Sequence, residues 1–224
     1  LRQEAISIVE QHRYGPMFTP PSLAGEGDDA TKGTINVPGY IGGANWEGAA
    51  ADPETGILYV PSATIPSLSG MVEPQSSDAT LNYVRDVTTR VGPQGLPLTK
   101  PPYGRITAID LNEGEILWEE PNGIGSPQVR SHPALAGVEL PPLGSGLDLV
   151  LVTKTLLLSA QPTPNESGFF PLVARDKLTG EVIAEIELPG RAIGPPVTYL
   201  FEGKQYIAVT VRGTPPELVV LNVK

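Results

Sequence analysis

One short pattern recurs three times in this sequence and limits the folds that it can adopt. The pattern Asp-x-x-x-Gly occurs at residues 52–56, 110–114 and 176–180. Aspartate hydrogen-bonds to its own backbone in a tight turn, and glycine adopts the positive φ that such a turn requires. Apolar runs rich in β-branched residues flank the copies, so the pattern predicts hairpin turns between strands.

The spacing of the three copies indicates a repeated β unit. The copies begin 58 and 66 residues apart, whereas one four-stranded propeller blade takes about 40–50 residues. Insertions in long loops would account for the excess. We therefore predict an all-β fold, a partial β-propeller of three to four four-stranded blades, with residues 1–224 forming one portion of a propeller domain.

The remaining segments predict few other elements. Residues 2–13 place Ala5, Ile8 and Val9 at helical spacing, which indicates a short amphipathic helix. Further strands are predicted at residues 34–37, 57–60, 104–110, 116–119, 147–153, 155–159, 172–176, 182–188, 197–201, 205–211 and 218–223. Residues 62–102 predict little regular structure beyond a hint of a strand within 81–91. A connection of this length is usually a lid, a partner surface or a disordered excursion.

Composition excludes several classes of function. The net charge is −10 and no block of lysine or arginine occurs, so nucleic acid and anionic membrane are poor partners. No cysteine is present, which excludes disulfides and thiolate chemistry. No apolar run approaches the length of a membrane span. The chain begins at Leu1 without a signal peptide, which we interpret as a start inside a longer gene product.

The segment 38–60 is a candidate ligand loop. Gly42 and Gly43 lack a Cβ and are followed by the amide of Asn45 and the flat ring of Trp46. Backbone of this kind can turn sharply or let a ligand approach closely. The alternative is that these residues only shape and pack a loop, and the residues alone leave both interpretations open.

Two further groups of residues are weaker candidates. Asp28 and Asp29 suggest a cation, although a solvated acidic loop is the simpler interpretation. His132 is a candidate for lining a substrate opening. Histidine is a common general base, but His12 lies on the predicted helix, far from any motif.

Several long blocks carry a resemblance to a known family. They are G-G-A-N-W at 42–46, A-A-D-P-E-T-G-I-L-Y-V at 50–60, K-P-P-Y-G-R-I-T-A-I-D-L-N-E-G-E-I-L-W at 100–118, R-S-H-P-A-L at 130–135, D-K-L-T-G-E-V at 176–182 and T-Y-L-F-E-G-K-Q-Y-I-A-V at 198–209. In this order they resemble the C-terminal part of the quinoprotein dehydrogenases, which use pyrroloquinoline quinone (PQQ). The glucose dehydrogenase-like branch is the most similar, and the resemblance covers nearly the whole chain.

The resemblance implies an eight-bladed propeller of which this chain is the last third to half. It implies PQQ near the propeller axis beside a calcium ion, with the calcium ligands and the catalytic aspartate upstream of this chain. It therefore assigns no catalytic or metal-binding residue here, and residues 1–224 alone are expected to be unstable and inactive.

The resemblance also implies cofactor-binding residues, which are Asn45, Trp46, Gly43 and Gly213. The amide of Asn45 would donate to a quinone carbonyl and stabilise the charge that develops on its oxygen. Trp46 is expected to pack under its loop rather than stack on the cofactor. Trp118 stands at the family's inter-blade docking position, where Asp110 and Gly114 would hold its turn.

Three departures from the family pattern put catalytic competence in doubt. The glycine-rich strand end of the family is replaced by the sequence at 158–170, and Ala184 replaces a second docking tryptophan. Arg212 replaces one glycine of the pair that closes the cofactor pocket. Two orientations of Arg212 stay open, one toward the axis and the quinone's carboxylates and one toward the surface.

The resemblance implies oxidation of a glucose-like sugar or alcohol hydroxyl in the periplasm, with hydride transfer to PQQ. The electrons would then pass to a quinone or cytochrome acceptor. The alternative is a non-catalytic β-propeller that serves as a binding or assembly scaffold of the bacterial envelope. The block G-G-A-N-W favours the enzyme, and the departures favour a drifted relative.

Overall fold

The computed structural model describes residues 1–25, 31–88 and 92–222. Its elements are α1 (Arg2–Glu10), β1 (Ser22–Leu23), β2 (Thr34–Asn36), β3 (Ala50–Asp52), β4 (Ile57–Ala63), β5 (Ser67–Val72), β6 (Val84–Thr88), β7 (Gly104–Asp110), β8 (Glu115–Pro121), α2 (Pro127–Arg130), β9 (Leu149–Val152), β10 (Leu156–Ala160), β11 (Phe170–Asp176), β12 (Val182–Leu188), β13 (Val197–Phe201), β14 (Lys204–Val211) and β15 (Glu217–Asn222). Short 3-10 helices lie at Pro93–Gly95 and Pro133–Leu135. Strands dominate the described residues, as the all-β prediction required.

The chain divides into two compact units, and the prediction that residues 1–224 form one portion of a propeller domain stays a prediction. The first unit comprises Leu1–Gly43 and Thr64–Lys100, and the second comprises Ala44–Ala63 and Pro101–Lys224. The acidic pair Asp28 and Asp29 lies outside the described residues.

In the first unit, β5 organises a four-stranded sheet. It pairs antiparallel with β2 and β6 and parallel with β1. The prediction of little regular structure in 62–102 was therefore wrong for residues 67–72. The buried face of β5 contains serines: Ser67 and Ser69 are buried, whereas Leu68 is only half-buried. A strand whose buried positions are small and polar lacks the apolar alternation that identifies strands in a sequence.

The second unit consists of three antiparallel sheets. Their strand orders are β3-β4-β7-β8, β9-β10-β11-β12 and β13-β14-β15. The second and third sheets are simple meanders, in which consecutive strands are neighbours. In the first sheet, β4 and β7 are neighbours, although the segment Thr64–Lys100 that connects them in the sequence belongs to the first unit. Successive four-stranded antiparallel sheets are the repeating element of a propeller.

The three Asp-x-x-x-Gly turns do not mark three blades. The turn at 52–56 joins β3 to β4, and the turn at 110–114 joins β7 to β8 of the same sheet. The two turns are neighbours, because the Leu111 N–H donates to the Gly56 carbonyl oxygen at 2.9 Å. Only the turns at 110–114 and 176–180 hold equivalent positions in successive sheets. The offset of 66 residues is therefore the sheet repeat, and the offset of 58 lies within one sheet.

The pairing registers of these two equivalent hairpins agree in detail. Ala108 is opposite Trp118 in the first sheet, and Ala174 is opposite Ala184 in the second. A register shift follows each pair, between Ala108 and Ile109 and between Ala174 and Arg175. Ala184 thus occupies the position of Trp118, which confirms that the second hairpin lacks the docking tryptophan.

Trp118 is half-buried, and its indole docks on the turn 176–180 of the next sheet. Its indole packs against the buried cluster that includes Tyr59, and its Nε1–H donates to the Lys177 carbonyl oxygen. As predicted, Asp110 and Gly114 hold the turn that precedes Trp118, since Asp110 Oδ1 accepts from the N–H groups of Asn112 at 2.7 Å and Glu113 at 3.3 Å, and Gly114 has a φ of 75°. Trp118 therefore links two sheets, as the docking prediction required.

Two apolar clusters hold the three sheets together. The first joins Ile57, Tyr59, Ile106 and Ala108 to Val150 and Leu157 of the second sheet. The second joins the other face of the second sheet to the third sheet and contains Leu158, Ala160, Leu172, Ala174, Leu188, Ala192, Ile207, Val209 and Val211. The second sheet is thus covered on both faces. Truncating a buried leucine in such a core costs about 2–5 kcal/mol.

Candidate functional site

A cavity of about 520 Å³ lies within the second unit, where the second and third sheets end. Leu149 of β9 and Ala160 of β10 line it, and these residues are paired across the two strands. The segment 191–195 between β12 and β13 and Arg212 after β14 complete this side of the wall. Backbone at the ends of packed sheets is a common position for a ligand site.

Two arginines stand opposite each other in the wall. Ala192 and Val211 form an antiparallel bridge, and the Arg212 N–H donates to the Arg191 carbonyl oxygen at 2.8 Å. Gly190 permits this close approach, because a Cβ at that position would lie 2.4 Å from the Arg212 carbonyl oxygen. Both arginine side chains are exposed and line the cavity.

The loop that precedes β3 brings a large aromatic ring and a carboxylate to the same cavity. Trp46 and Glu47 line it, and the Trp46 side chain is 98% exposed. A turn shapes the loop, since the Gly48 N–H donates to the Asn45 carbonyl oxygen at 3.0 Å. The expectation that Trp46 packs under its loop was wrong, because almost the whole indole is accessible to a ligand.

The four predicted cofactor-binding residues occupy different positions relative to the cavity. Trp46 lines the cavity, and Asn45 precedes it directly in the chain. Gly213 follows the cavity residue Arg212, and a Cβ at Gly213 would lie 2.7 Å from the Pro215 carbonyl oxygen. Gly43 belongs to the first unit. Contact of these residues with a cofactor stays a prediction.

Arg212 is exposed and lines the cavity, and its orientation toward the propeller axis stays a prediction. Sequence reasoning missed Arg191 and Glu47. Arg191 becomes a partner of Arg212 only through the register between two strands, and the sequence alone does not set that register. Glu47 adjoins Trp46, so its position in the candidate loop was the available indication.

A second polar cluster is buried between the first and second sheets. Asn122 and Asp148 are fully buried, and the Asn122 amide donates to the Asp148 carboxylate at 3.0 Å. Arg175 donates to the carbonyl oxygens of Gly180 at 2.9 Å and Pro121 at 3.0 Å. Burial raises the pKa of Asp148 to about 8, and the nearby Arg175 offsets part of this effect.

Asp148 does not face the cavity. Its neighbours Leu147 and Leu149 both line the cavity, and side chains alternate between the two faces of an extended segment. Asp148 therefore points to the opposite side, toward Asn122. We assign this cluster to holding the two sheets together and not to ligand chemistry.

The histidines have structural contacts. The Nδ1 of His12 lies 2.5 Å from the Ile8 carbonyl oxygen, and His12 follows the helix rather than lying on it as predicted, because α1 ends at Glu10. His132 caps the short helix Pro133–Leu135 by accepting from the Ala134 N–H at 3.1 Å. In the described ranges, no group of three histidine, cysteine, aspartate or glutamate side chains is arranged to hold a metal ion.

The second unit has the construction of a β-propeller portion, with a cavity at the ends of its strands. A family model confirms this class: the description "PQQ: Glucose/ethanol/alcohol dehydrogenase, beta-propeller domain" matches residues 1–207. The chain belongs to this family of quinoprotein dehydrogenases. The predicted resemblance is thereby confirmed.

Curated relatives agree with the family assignment. The chain is 28% identical over 230 residues to the glycerol dehydrogenase large subunit of Gluconobacter oxydans, covering 89% of this chain and 29% of that protein. It is 26% identical over 232 residues to the quinoprotein glucose dehydrogenase of Escherichia coli, covering 92% and 27%. It is 26% identical over 229 residues to a probable quinate dehydrogenase (quinone) of Xanthomonas campestris, covering 91% and 27%. The chain spans less than a third of these relatives.

Solved structures support the fold. A europium-containing methanol dehydrogenase matches with a TM-score of 0.51 and 27% identity, covering 78% of this chain and 26% of that one. The quinohemoprotein alcohol dehydrogenase from Comamonas testosteroni matches with a TM-score of 0.50 and 22% identity, covering 87% and 28%. No helix among the described residues is long and apolar enough to cross a membrane.

Proposed function

We propose that this chain is the cofactor-pocket portion of a PQQ-dependent dehydrogenase that oxidises a hydroxyl group of a sugar or another alcohol. The observation that carries the proposal is the cavity that Trp46 and Arg212 both line, because both belong to segments that resemble cofactor-contacting blocks of the family. Transfer of electrons to a quinone or cytochrome acceptor and a periplasmic location belong to the same proposal.

The cavity residues suit a cofactor of this chemistry. PQQ is a flat ring system that carries three carboxylates. An exposed indole offers it a large flat contact surface, and two guanidinium groups complement carboxylates in charge and hydrogen-bonding geometry. When bound, PQQ supplies the two-electron oxidising capacity that no side chain of the protein possesses.

The chain's own residues would bind and orient the cofactor. Asn45 would donate its amide hydrogen to a quinone carbonyl oxygen, and this bond would gain strength as charge develops on that oxygen. Trp46 would cover a face of the ring. Gly43 and Gly213 are proposed to allow close approach of the backbone, since neither carries a Cβ.

The metal would be held elsewhere in the protein. The described residues contain no cluster of metal-binding side chains, and calcium prefers six to eight oxygen ligands, with carboxylates prominent. In line with the family resemblance, we propose that the calcium ligands and the catalytic base lie outside this chain. Polyhydroxy compounds are the proposed substrates, because the names of the relatives include glycerol, glucose and quinate dehydrogenases.

The test is dye reduction by the full-length protein that contains this chain, reconstituted with PQQ and calcium. Glucose, glycerol, quinate and ethanol would be the substrates, with samples lacking PQQ as the control. We expect turnover of at least one of them that depends on added PQQ. Stable, folded protein without turnover on any of the four would favour the non-catalytic propeller.

A further inference from the structure

The arrangement of Arg191 and Arg212 is costly without a ligand. The isolated bridge between Ala192 and Val211 places Arg191, in the segment before β13, opposite Arg212, which directly follows β14. Side chains in such positions have Cβ atoms about 4.5–5.5 Å apart, and like charges there repel. The two residues line one cavity, so the repulsion is concentrated at a possible binding site.

No group among the described residues offsets this charge through direct contact. The described part of the chain has three ion pairs, Arg105–Glu119, Arg130–Glu166 and Lys177–Asp52, and neither cavity arginine takes part in one. Glu47 lines the same cavity and supplies a single negative charge against two positive charges. The cavity therefore retains an excess of positive charge within a chain whose net charge is −10.

We propose that Arg191 and Arg212 form a two-guanidinium site that binds a carboxylate group of the molecule in this cavity. Guanidinium groups bind carboxylates through paired, charge-assisted hydrogen bonds, and a bound carboxylate relieves the repulsion between the arginines. The inference rests on the proposed function in identifying the cavity as the quinone pocket. It adds that these two residues select an anionic occupant.

The carboxylate has two possible sources, the cofactor or the substrate. A planar tricarboxylate next to Trp46 would present its carboxylates to the arginines, whereas a hydroxy acid substrate would present its own acid group. The chemistry of recognition is the same, so the experiment needs one arm for each source.

The cofactor arm measures quinone binding and not turnover. Full-length apoprotein would be titrated with PQQ and with its trimethyl ester, in wild type, Arg191→Gln, Arg212→Gln and the double variant. We expect the double variant to raise the Kd for PQQ about tenfold or more, since loss of a charge-assisted bond is worth that factor or more. The preference of wild type for PQQ over the ester should shrink by the same factor.

The matched control is Lys204→Gln. This variant removes one exposed positive charge at the far end of β14, outside the cavity, and it should leave both dissociation constants unchanged. Arg212→Lys retains the charge and should lose less PQQ affinity than Arg212→Gln. Thermal unfolding of each variant verifies folding, and we expect the double variant to be at least as stable as wild type.

The substrate arm compares quinate, which carries a carboxylate, with glycerol, which is neutral. If the substrate is the source, the KM or inhibition constant for quinate rises about tenfold in the double variant, while the values for glycerol and the preference for PQQ over its ester stay unchanged.

The results separate the inference from the proposed function. If wild-type protein binds no PQQ, the proposed function fails and the inference falls with it. If wild type binds PQQ, but the double variant matches it within twofold for PQQ, the ester and quinate, only the inference is overturned.

Discussion

Trp118 and Lys177, which belong to successive sheets, are joined by a hydrogen bond from the indole Nε1–H to the Lys177 carbonyl oxygen at 3.2 Å. The same indole lies against Gly180, where a Cβ would be 2.9 Å from its Cε3 atom. Its ring centroid is 5.9 Å from that of Tyr59. Gly180 thus serves both the turn, with a φ of 79°, and the packing of the indole.

Replacing Trp118 tests this link between the sheets. Trp118→Ala in the full-length protein should lower the free energy of unfolding by about 2–4 kcal/mol. This is near the lower part of the range for large aromatic residues, because the ring is only half-buried. Trp118→Phe is the control, which keeps much of the packing and removes the Nε1–H donor, and it should cost about 1 kcal/mol. Urea unfolding measures both, and equal losses would show that packing does not matter here.

A buried ion pair forms a second link at the same turn. Lys177 Nζ donates to Asp52 Oδ2 at 2.5 Å, and both side chains are almost fully buried. The Lys177 hydrogen bond, with smaller help from Thr55, lowers the pKa of Asp52 to about 2. The folded state therefore favours the ionised carboxylate more than the unfolded chain does, and this contribution is present above pH 4 and lost as the pH falls toward 2.

Asp52→Asn should remove this acid-induced loss. Between pH 4 and pH 2, wild type should lose stability more steeply than the variant, as measured by urea unfolding at each pH. Lys177→Met should destabilise the protein more than the double variant Lys177→Met/Asp52→Asn, because a lone buried carboxylate has no partner. A double variant less stable than Lys177→Met would contradict this role of the pair.

Asp148 should make the stability of the protein depend on pH in the opposite direction from Asp52. Its pKa is raised to about 8 by burial, whereas an unfolded aspartate titrates near pH 4. The folded state holds the proton across this window, so stability falls as the pH rises from about 4 to about 8. The free energy of unfolding should fall, through Asp148, by at most about 1.4 kcal/mol for each pH unit.

Asp148→Asn is the matched test. Asparagine has the shape of the neutral acid and retains an acceptor for the Asn122 amide, so the slope should vanish and the variant should gain stability relative to wild type at pH 8. Parallel stability profiles for the two proteins between pH 4 and pH 8 would show that the Asp148 carboxyl titrates normally.

Local turn chemistry explains why the hairpins were predictable. Aspartate and glycine define the turn at 176–180 without help from distant residues, and the predicted strand 182–188 coincides with β12 (Val182–Leu188). Strand β5 was missed because its buried positions are serines, which carry no apolar alternation. Assigning three turns to three blades was wrong because a turn motif does not reveal which strands of a sheet it joins.

The candidate site depends on long-range pairing, which the sequence does not display. Asn45 and Trp46 were identifiable through adjacent glycines and a family block, and Arg212 through its departure from that block. Arg191 joins them only when β14 pairs with the segment before β13. The exposure of Trp46 was also unpredictable, because an aromatic residue in a loop packs or projects according to its tertiary neighbours.

The next prediction separates Asn45 from Trp46. In the full-length enzyme, Asn45→Ala should lower kcat by about 10²-fold, the scale for loss of one donor to a developing oxyanion. Asn45→Asp should be worse, because it sets a negative charge against that oxygen. Trp46→Phe keeps a flat ring and should change kcat little, and since the indole is exposed, unfolding free energy should stay within about 0.5 kcal/mol. Wild-type kcat in Asn45→Ala with no activity in Trp46→Phe would reverse the two roles.

The most direct measurement is equilibrium binding of PQQ to the full-length apoprotein with calcium, followed through Trp46. PQQ absorbs light in the region of indole emission, so a cavity lined by Trp46 should make quinone binding quench the fluorescence of that residue. We expect saturable binding of one PQQ per chain, with a quenching component that disappears in Trp46→Phe while saturable binding remains. Absence of saturable binding, or quenching that is unchanged in Trp46→Phe, would contradict the assignment of this cavity as the quinone pocket.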